Sequence, residues 1–144
     1  MENKTISIGI DPLMLMAAWG LALVATLAAL FIGEVMGQMP CTLCWYQRIA
    51  MFPLAVILGV AAYRGELGVW RHGLPLSVIG LVIAGYHSLQ YAGLLPTPIV
   101  PCQASGPSCS GEGMVVMGMP IPYLSAAAFA GITLLLLPLT RKRT

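Results

Sequence analysis

The sequence predicts an all-α integral membrane protein, a bundle of four transmembrane helices with both termini in the cytoplasm. Of its 144 residues, 58% are hydrophobic and only 8% are charged, which is far from the composition of a soluble domain. Four apolar stretches of about 20 residues are each long enough to cross roughly 30 Å of hydrocarbon. Because they take up more than half of the chain, we expect a single integral membrane domain over residues 1–144.

The first two predicted spans cover residues 13–32 and 45–63. The first contains no charged residue. A cleaved signal peptide fits it less well, because such a peptide has an apolar region of about 7–15 residues followed by an A-x-A-like site. The second span carries Gln47 and Arg48 near its start and aromatic residues at both ends, where rings favour the membrane interface. A short polar turn is expected over residues 64–73.

The third and fourth predicted spans cover residues 74–91 and 120–139. His87 is the one histidine or charged residue of the third span. Residues 93–118, between these spans, are rich in Pro, Gly, Ser and Cys, a composition that predicts a loop. Pro120 and Pro122 suit the first turn of the fourth helix, where a missing N–H leaves no hydrogen bond unmade.

Basic residues determine the predicted orientation, because cytoplasmic flanks of membrane spans are enriched in Lys and Arg. With the N-terminus inside, the two outer loops contain no basic residue and Arg48 alone lies at the outer end of a span. The six basic residues then inside are Lys4, Arg64, Arg71, Arg141, Lys142 and Arg143. This distribution places residues 33–44 and 93–118, and with them all four cysteines, on the extracytoplasmic side.

The four cysteines form two pairs along the sequence, Cys41 with Cys44 and Cys102 with Cys109, although three connectivities remain open. Static disulfides would fasten the outer loops, but a Cys41–Cys44 bridge closes too small a loop to restrict the unfolded chain much. A Cys-x-x-Cys at a helix start favours redox chemistry instead, because helix N-terminal amides stabilise a thiolate. A structural zinc is a weaker alternative, since six residues separate the second pair. No metal is expected.

Two polar residues are predicted near the first cysteine pair at a similar depth in the membrane. Arg48 follows Cys44 by four residues, so both side chains project from one helix face with about 6 Å of rise between them. His87 lies about 6–8 Å below the outer end of the third span, and Gln90 and Tyr91 share its face. Burying such groups unpaired costs several kcal/mol, which favours a function. The alternatives are an interfacial anchor for Arg48 and a helix–helix hydrogen bond for His87.

A dithiol, a cation and a histidine at one level of the outer leaflet suit a lipid-soluble two-electron acceptor. Oxidation of two thiols releases two electrons and two protons, and a quinone accepts both. Arg48, His87, Gln47 and Gln90 are therefore the predicted quinone-binding residues. A nicotinamide dinucleotide is not expected, because the sequence contains no glycine-rich strand–turn–helix motif.

Several motifs resemble the DsbB/BdbC family of bacterial thiol:quinone oxidoreductases. They are CTLCWYQR at 41–48, AMFP at 50–53, YHSLQ at 86–90, PC at 101–102, SC at 108–109 and IPYLS at 121–125. Together these motifs cover nearly the whole chain. The short second loop makes the sequence more similar to the BdbC branch.

The resemblance implies an enzyme of the bacterial cytoplasmic membrane in which a quinone, ubiquinone or menaquinone, regenerates a Cys41–Cys44 disulfide. That disulfide is then expected to oxidise Cys102 and Cys109. The second pair would oxidise a thioredoxin-fold partner similar to DsbA or BdbD, with Cys102 forming the mixed disulfide. A relay of this kind keeps the bacterial periplasm oxidising.

The resemblance also implies where the remaining site residues lie. Cys44 would lie next to the quinone, assisted by Arg48, and His87 would line the same pocket. One departure concerns the second pair, which is separated by only six residues where the better-known branch has a much longer segment. The order of disulfide exchange is therefore left open.

Two other functions are consistent with parts of the sequence. A non-catalytic membrane scaffold would keep both cysteine pairs permanently oxidised. A reductase similar to vitamin K epoxide reductase would use related chemistry, but its Cys-x-x-Cys is expected late in the helix order, whereas here it opens the second span. Membrane lipid is an expected partner. Nucleic acid is not, because the formal charge is only +2 and the basic residues are scattered.

Overall fold

The structure, a computed structural model, describes residues 9–38, 40–95 and 115–141. Four long helices occupy most of this part of the chain: α1 (Ile10–Leu30), α2 (Thr42–Arg64), α3 (Trp70–Tyr91) and α4 (Ile121–Arg141). The shorter elements are a π-helical turn after α1 (Phe31–Val35), a 3-10 turn before α3 (Leu67–Val69), and strands β1 (Val115–Val116) and β2 (Met119–Pro120).

All four long helices are long enough and apolar enough to cross a bilayer. With their adjoining turns, the candidate spans are Ile10–Val35, Thr42–Arg64, Leu67–Tyr91 and Ile121–Arg141. The predicted fold class, an all-α membrane protein with four transmembrane helices, is thereby confirmed. The side of the membrane that each terminus and loop faces stays a prediction.

The helices form a closed ring in which α1 contacts α2 and α4, and α3 contacts the same two helices. The core combines small residues of α1 with large apolar residues of α2 and α4. The fully buried members of this core include Ala18 and Ala22, Leu54 and Leu58, and Phe129, Ile132 and Leu136. Many other apolar side chains lie exposed on the outside of the ring, such as Val24, Val56 and Leu134. Such an outer surface suits lipid, because lipid tails are as apolar as these side chains.

The tightest helix contact in this core joins α3 to α4. Gly80 of α3 lies directly against the ring of Phe129, and a Cβ atom at residue 80 would overlap that ring. One helical turn away, the Thr133 hydroxyl donates a hydrogen bond of 3.1 Å to the hydroxyl of Ser77. Glycine thus permits the close approach, and a buried polar pair fixes the two helices relative to each other.

The connection between α2 and α3 is shorter than the polar turn predicted over residues 64–73. Helix α3 begins at Trp70, so Arg71, His72 and Gly73 lie inside it. Arg71 and His72 are exposed, whereas Gly73 is buried against Leu58 and other core residues. The charged residues led the prediction to begin the third span too late, because one apolar face is enough to bury a helix turn that also carries exposed charged residues.

Two segments predicted as loops contain regular structure. Gly33 lies in the π-helical turn, and Cys44 lies in the first turn of α2. In the second loop, Val115 and Val116 pair with Pro120 and Met119 as an antiparallel hairpin. Met117 and Gly118 form its turn with φ of 52° and 82°, the positive values that a type I′ turn requires.

Candidate active site

Cys41 and Cys44 lie at the start of α2, at the end of the bundle where α1 and α3 finish and α4 begins. Cys41 is the N-cap residue, and its sulfur accepts a hydrogen bond of 3.3 Å from the backbone N–H of Cys44. Both residues are free thiols, with their Sγ atoms 3.0 Å apart. Cys41 is buried and Cys44 is partly exposed. A disulfide therefore requires only a small approach of the two sulfurs.

The environment of Cys41 favours a negative charge on its sulfur. The pKa of the Cys41 thiol is lowered from its ordinary value of 9.0, mainly because the Cys44 thiol hydrogen-bonds to it. Burial opposes this effect, whereas His87 and the backbone N–H of Cys44 reinforce it. The buried member of the pair is thus the one prepared to act as a thiolate.

His87 approaches the dithiol from α3 and is fully buried. Its Nε2 atom lies 3.8 Å from Cys41 Sγ, and its Nδ1 atom lies 3.0 Å from the side-chain Nε2 of Gln47 on α2. In this arrangement the Gln47 amide donates to Nδ1, so the ring proton is on Nε2 and points toward the Cys41 sulfur. Gln47 is buried as well. Gln47 and His87 were both predicted to bind the quinone, and the structure places them in contact with each other.

Arg48 lies on the opposite side of the α2 start, against the end of α1. A guanidinium nitrogen donates a hydrogen bond of 2.8 Å to the backbone carbonyl of Ala29, and the group stacks over the ring of Trp45 at 5.6 Å. It also lies so close to Gly33 that a Cβ atom there would be 2.9 Å from a guanidinium nitrogen. Arg48 thus contacts α1 and Trp45. Among the described residues, no carboxylate lies within 4 Å of its guanidinium group.

Cys44 lies between these two environments. At about 100° per residue, Gln47 is about 60° to one side of Cys44 on the helix surface and Arg48 about 40° to the other. The Arg48 charge is near enough to act electrostatically on Cys44. The structure therefore brings Cys41, Cys44 and His87 together, with their ligand atoms all within 4.8 Å of one another, and sets Arg48 on the side of Cys44 that faces α1.

Gln90 and Tyr91, which were predicted to extend the polar pocket, have different surroundings in the structure. The Gln90 side-chain oxygen is buried and has no hydrogen-bond partner among the described residues. The ring of Tyr91 instead packs edge-on against that of Tyr123 on α4, with centroids 5.8 Å apart. Cys102 and Cys109, the other two predicted site residues, lie outside the described residues.

Sequence reasoning missed Gly33, Ala29 and Trp45 as the surroundings of Arg48. A glycine near the end of an apolar span was the available signal for Gly33, because glycine in a helix interior costs stability unless close packing needs it. The Ala29 carbonyl gave no signal, since any residue type supplies one. The π-helical turn that contains Gly33 also has no sequence motif of its own, although such turns are frequent at functional sites.

Comparison with known proteins identifies the family. The family model described as "Disulfide bond formation protein DsbB" matches residues 11–139. The chain belongs to the DsbB family.

Individual relatives carry the same assignment, and the resemblance drawn from the motifs is confirmed. A "Probable disulfide formation protein" of Metapseudomonas resinovorans is 56% identical over 132 residues, covering 91% of this chain and 92% of that protein. "Disulfide bond formation protein C" of Bacillus subtilis is 41% identical over 116 residues, covering 80% and 83%. A further relative in Deinococcus radiodurans is 41% identical over 128 residues. No solved structure matches the chain significantly.

The family and the four helices together describe a multi-pass membrane protein of disulfide bond formation. Among the described residues, the cysteine pair is the Cys-x-x-Cys at the start of α2. Its two sulfurs are close enough in space for a disulfide to form.

Proposed function

We propose that this protein is a thiol:quinone oxidoreductase that generates disulfides de novo in the bacterial cytoplasmic membrane. It takes two electrons from a thioredoxin-fold dithiol partner similar to DsbA or BdbD and passes them to ubiquinone or menaquinone. The observation that carries the proposal is the position of the Cys41–Cys44 dithiol, between a buried histidine and an arginine that has no carboxylate partner among the described residues.

The surroundings of Arg48 fit a quinone. The guanidinium offers N–H donors and positive charge to an acceptor oxygen, and it is intermediate in burial. Exposed apolar side chains adjoin it, with Trp45 54%, Ile49 63% and Phe31 55% exposed. A lipid-soluble ring with polar oxygens needs this combination of apolar surface and a few donors. A bound quinone supplies an acceptor for two electrons and two protons.

Residues on the two sides of Cys44 have different proposed roles, with Cys41 and His87 on one side and Arg48 on the other. Closing the disulfide from a Cys41 thiolate and a Cys44 thiol removes two electrons and the Cys44 proton, since the Cys41 proton has already left. The Cys41 thiolate, held by His87 Nε2–H and the Cys44 amide, is placed to form the S–S bond with Cys44. Arg48 would hold a quinone oxygen on the other side of Cys44, and the bound quinone would supply the acceptor for the electron pair. His87 directs its Nε2 proton toward the Cys41 sulfur, 3.8 Å away, which favours the thiolate.

The second cysteine pair connects this site to the partner. In the proposed sequence, the Cys41–Cys44 disulfide oxidises Cys102 and Cys109 by thiol–disulfide exchange, and Cys102 forms the mixed disulfide with the partner. The pair is separated by only six residues, so direct exchange between the partner and Cys41 is a second order of events. A Cys109→Ala variant distinguishes these two orders of exchange. It traps the partner as a mixed disulfide on Cys102 only if the partner reacts with the second cysteine pair.

Turnover with purified components tests the proposal. The full chain in lipid nanodiscs is mixed with a reduced thioredoxin-fold partner and a short-chain ubiquinone or menaquinone, and quinone reduction is followed by absorbance. We expect one quinone reduced per two thiols lost, no reaction without quinone, and loss of turnover in Cys41→Ser. Undiminished turnover in Cys41→Ser would contradict the assignment.

The predicted orientation needs its own experiment. A membrane-impermeant thiol reagent is applied to intact cells after mild reduction, and to inverted membrane vesicles in parallel. We expect labelling of the cysteines from the outside of intact cells. Labelling from the cytosolic side alone would place the dithiol in the wrong compartment and refute the proposed partner exchange.

A further inference from the structure

The dithiol and His87 together resemble the ligand set of a metal centre. The Sγ atoms of Cys41 and Cys44 and the imidazole nitrogen of His87 lie within 4.8 Å of one another, and Cys41 and His87 are buried. We propose that the reduced enzyme binds one zinc ion through these three residues, and that this zinc blocks the dithiol reversibly. The binding rests on the geometry alone, whereas its effect on turnover rests on the proposed function.

The observed distances are close to those of a tetrahedral zinc site. With Zn–S of about 2.3 Å and Zn–N of about 2.0 Å, tetrahedral geometry separates two sulfurs by about 3.8 Å and a sulfur from a nitrogen by about 3.5 Å. The two sulfurs are 3.0 Å apart, and Cys41 Sγ is 3.8 Å from His87 Nε2. All three ligand atoms lie within 4.8 Å of one another, so side-chain movements of about 1 Å bring them to zinc-binding distances, and the fourth zinc position stays open for water.

The chemistry of the ligands selects a thiophilic cation. Two thiolates and an imidazole favour zinc over magnesium or calcium, which prefer oxygen ligands. Two negative sulfurs also neutralise the double charge of zinc, so the bound site carries no net charge. A neutral site is compatible with burial in a membrane protein, where an isolated charge is costly.

Gln47 is suited to support this site from behind the histidine. To bind zinc, His87 Nε2 must give up its proton and Nδ1 must carry one. The Gln47 side chain lies 3.0 Å from Nδ1 and has both a donor and an acceptor atom, so rotation of its amide provides an oxygen that accepts the Nδ1 proton. A ligand histidine commonly has such a partner on its other nitrogen.

Zinc and the disulfide exclude each other at this site. Zinc binding engages both sulfurs as thiolates and displaces any proton that they still carry, so neither sulfur can form the S–S bond. Once the disulfide has formed, neither sulfur is a thiolate that can bind zinc. Zinc would therefore bind the reduced enzyme alone and hold it reduced until the metal is removed.

Cobalt binding provides a readout that is independent of turnover. The full chain with Cys102→Ser and Cys109→Ser is purified in detergent, reduced without metal, and titrated with Co²⁺ in the absence of oxygen. We expect one cobalt per chain, with thiolate-to-cobalt charge-transfer absorption and the visible bands of tetrahedral cobalt, and displacement by one equivalent of Zn²⁺. The same protein with an oxidised Cys41–Cys44 pair should show none of these bands.

His87→Gln and Gln47→Leu in the same background locate the site. We expect His87→Gln to weaken zinc binding at least tenfold, measured by competition with a chromophoric chelator, and Gln47→Leu to weaken it by about tenfold. Circular dichroism and size-exclusion profiles that match the parent show that each variant is folded. Equal zinc affinity in folded parent and His87→Gln proteins, or no tetrahedral bands in the reduced parent, would overturn the proposal. Turnover without zinc tests the proposed function separately.

Discussion

The side-chain amide of Gln47 lies 3.0 Å from Nδ1 of His87, inside the bundle. This contact determines which imidazole nitrogen carries the proton, and so what His87 presents to the Cys41 sulfur at 3.8 Å. We therefore propose that Gln47 positions His87, and that His87 acts on the dithiol.

Replacing Gln47 tests this relationship. Gln47→Leu keeps the side chain's approximate size but leaves Nδ1 of His87 without its donor. Loss of a buried hydrogen bond worth about 1–1.5 kcal/mol corresponds to about a tenfold loss of turnover. We expect turnover to fall by that factor while the KM for quinone changes little, because Arg48 is untouched. A rise in KM at unchanged kcat would instead place Gln47 at the acceptor.

Arg48→Ala is expected to affect the acceptor side selectively. Hydrogen bonds to charged groups contribute about 1.5–3 kcal/mol, so quinone use should weaken by about 10–100-fold, seen as a raised KM for quinone in steady-state kinetics. Disulfide exchange with the partner, followed by alkylation and gel shift, should stay near the wild-type rate. Arg64→Ala is the control, since Arg64 is exposed and pairs loosely with Glu66 at 3.9 Å. Wild-type quinone kinetics in Arg48→Ala would remove Arg48 from the mechanism.

Gly33→Ala should imitate part of the Arg48 defect without removing the charge. The new Cβ would lie 2.9 Å from the guanidinium, so the arginine must move away from the end of α1. We expect a several-fold increase in the KM for quinone. Gly20→Ala is a matched control, because a Cβ there has nothing within 4 Å. In the Arg48→Ala background, Gly33→Ala should have no further effect, since the group that it displaces is gone. Additive losses would mean that Gly33 acts elsewhere.

The fold was predictable because its signals are local. Stretches of about 20 apolar residues identify membrane helices whatever their neighbours are. The start of α3 was placed too late because Arg71 and His72 obscured an apolar face that only packing reveals. The hairpin of β1 and β2 was missed because strands of two residues carry too short a pattern to recognise.

The sequence predicted that Cys41, Cys44 and His87 lie close together, but not the contacts that surround them. Spacing alone placed Arg48 on the face of Cys44, since both lie on one helix. It did not reveal that Arg48 reaches the carbonyl of Ala29, or that Gln47 faces His87, because these contacts depend on how α2 is rotated against α1 and α3. The predicted pocket therefore combined two environments that lie on opposite sides of Cys44.

Stability of the bundle should depend on the contact between Gly80 and Phe129. A methyl group at residue 80 overlaps the ring, so Gly80→Ala forces α3 and α4 apart. Overpacking typically costs about 1–3 kcal/mol, which we expect as a lower midpoint of thermal unfolding in detergent. Gly85→Ala on the same helix is the control, because a Cβ at residue 85 meets nothing within 4 Å. If both variants unfold at one temperature, the close approach is not important for stability.

The charge on Cys41 leads to a prediction about pH. The pKa of its thiol is lowered chiefly by the hydrogen bond from Cys44, with His87 as a smaller contributor. Removing the main donor in Cys44→Ala should therefore raise that pKa, so that the thiolate appears only at higher pH. The measurement is ultraviolet thiolate absorbance against pH in a chain that also lacks Cys102 and Cys109. His87→Ala, with Cys44 present, should shift the midpoint upward by less. A midpoint that falls in Cys44→Ala, or that moves further in His87→Ala, would show that Cys44 is not the main group that stabilises the thiolate.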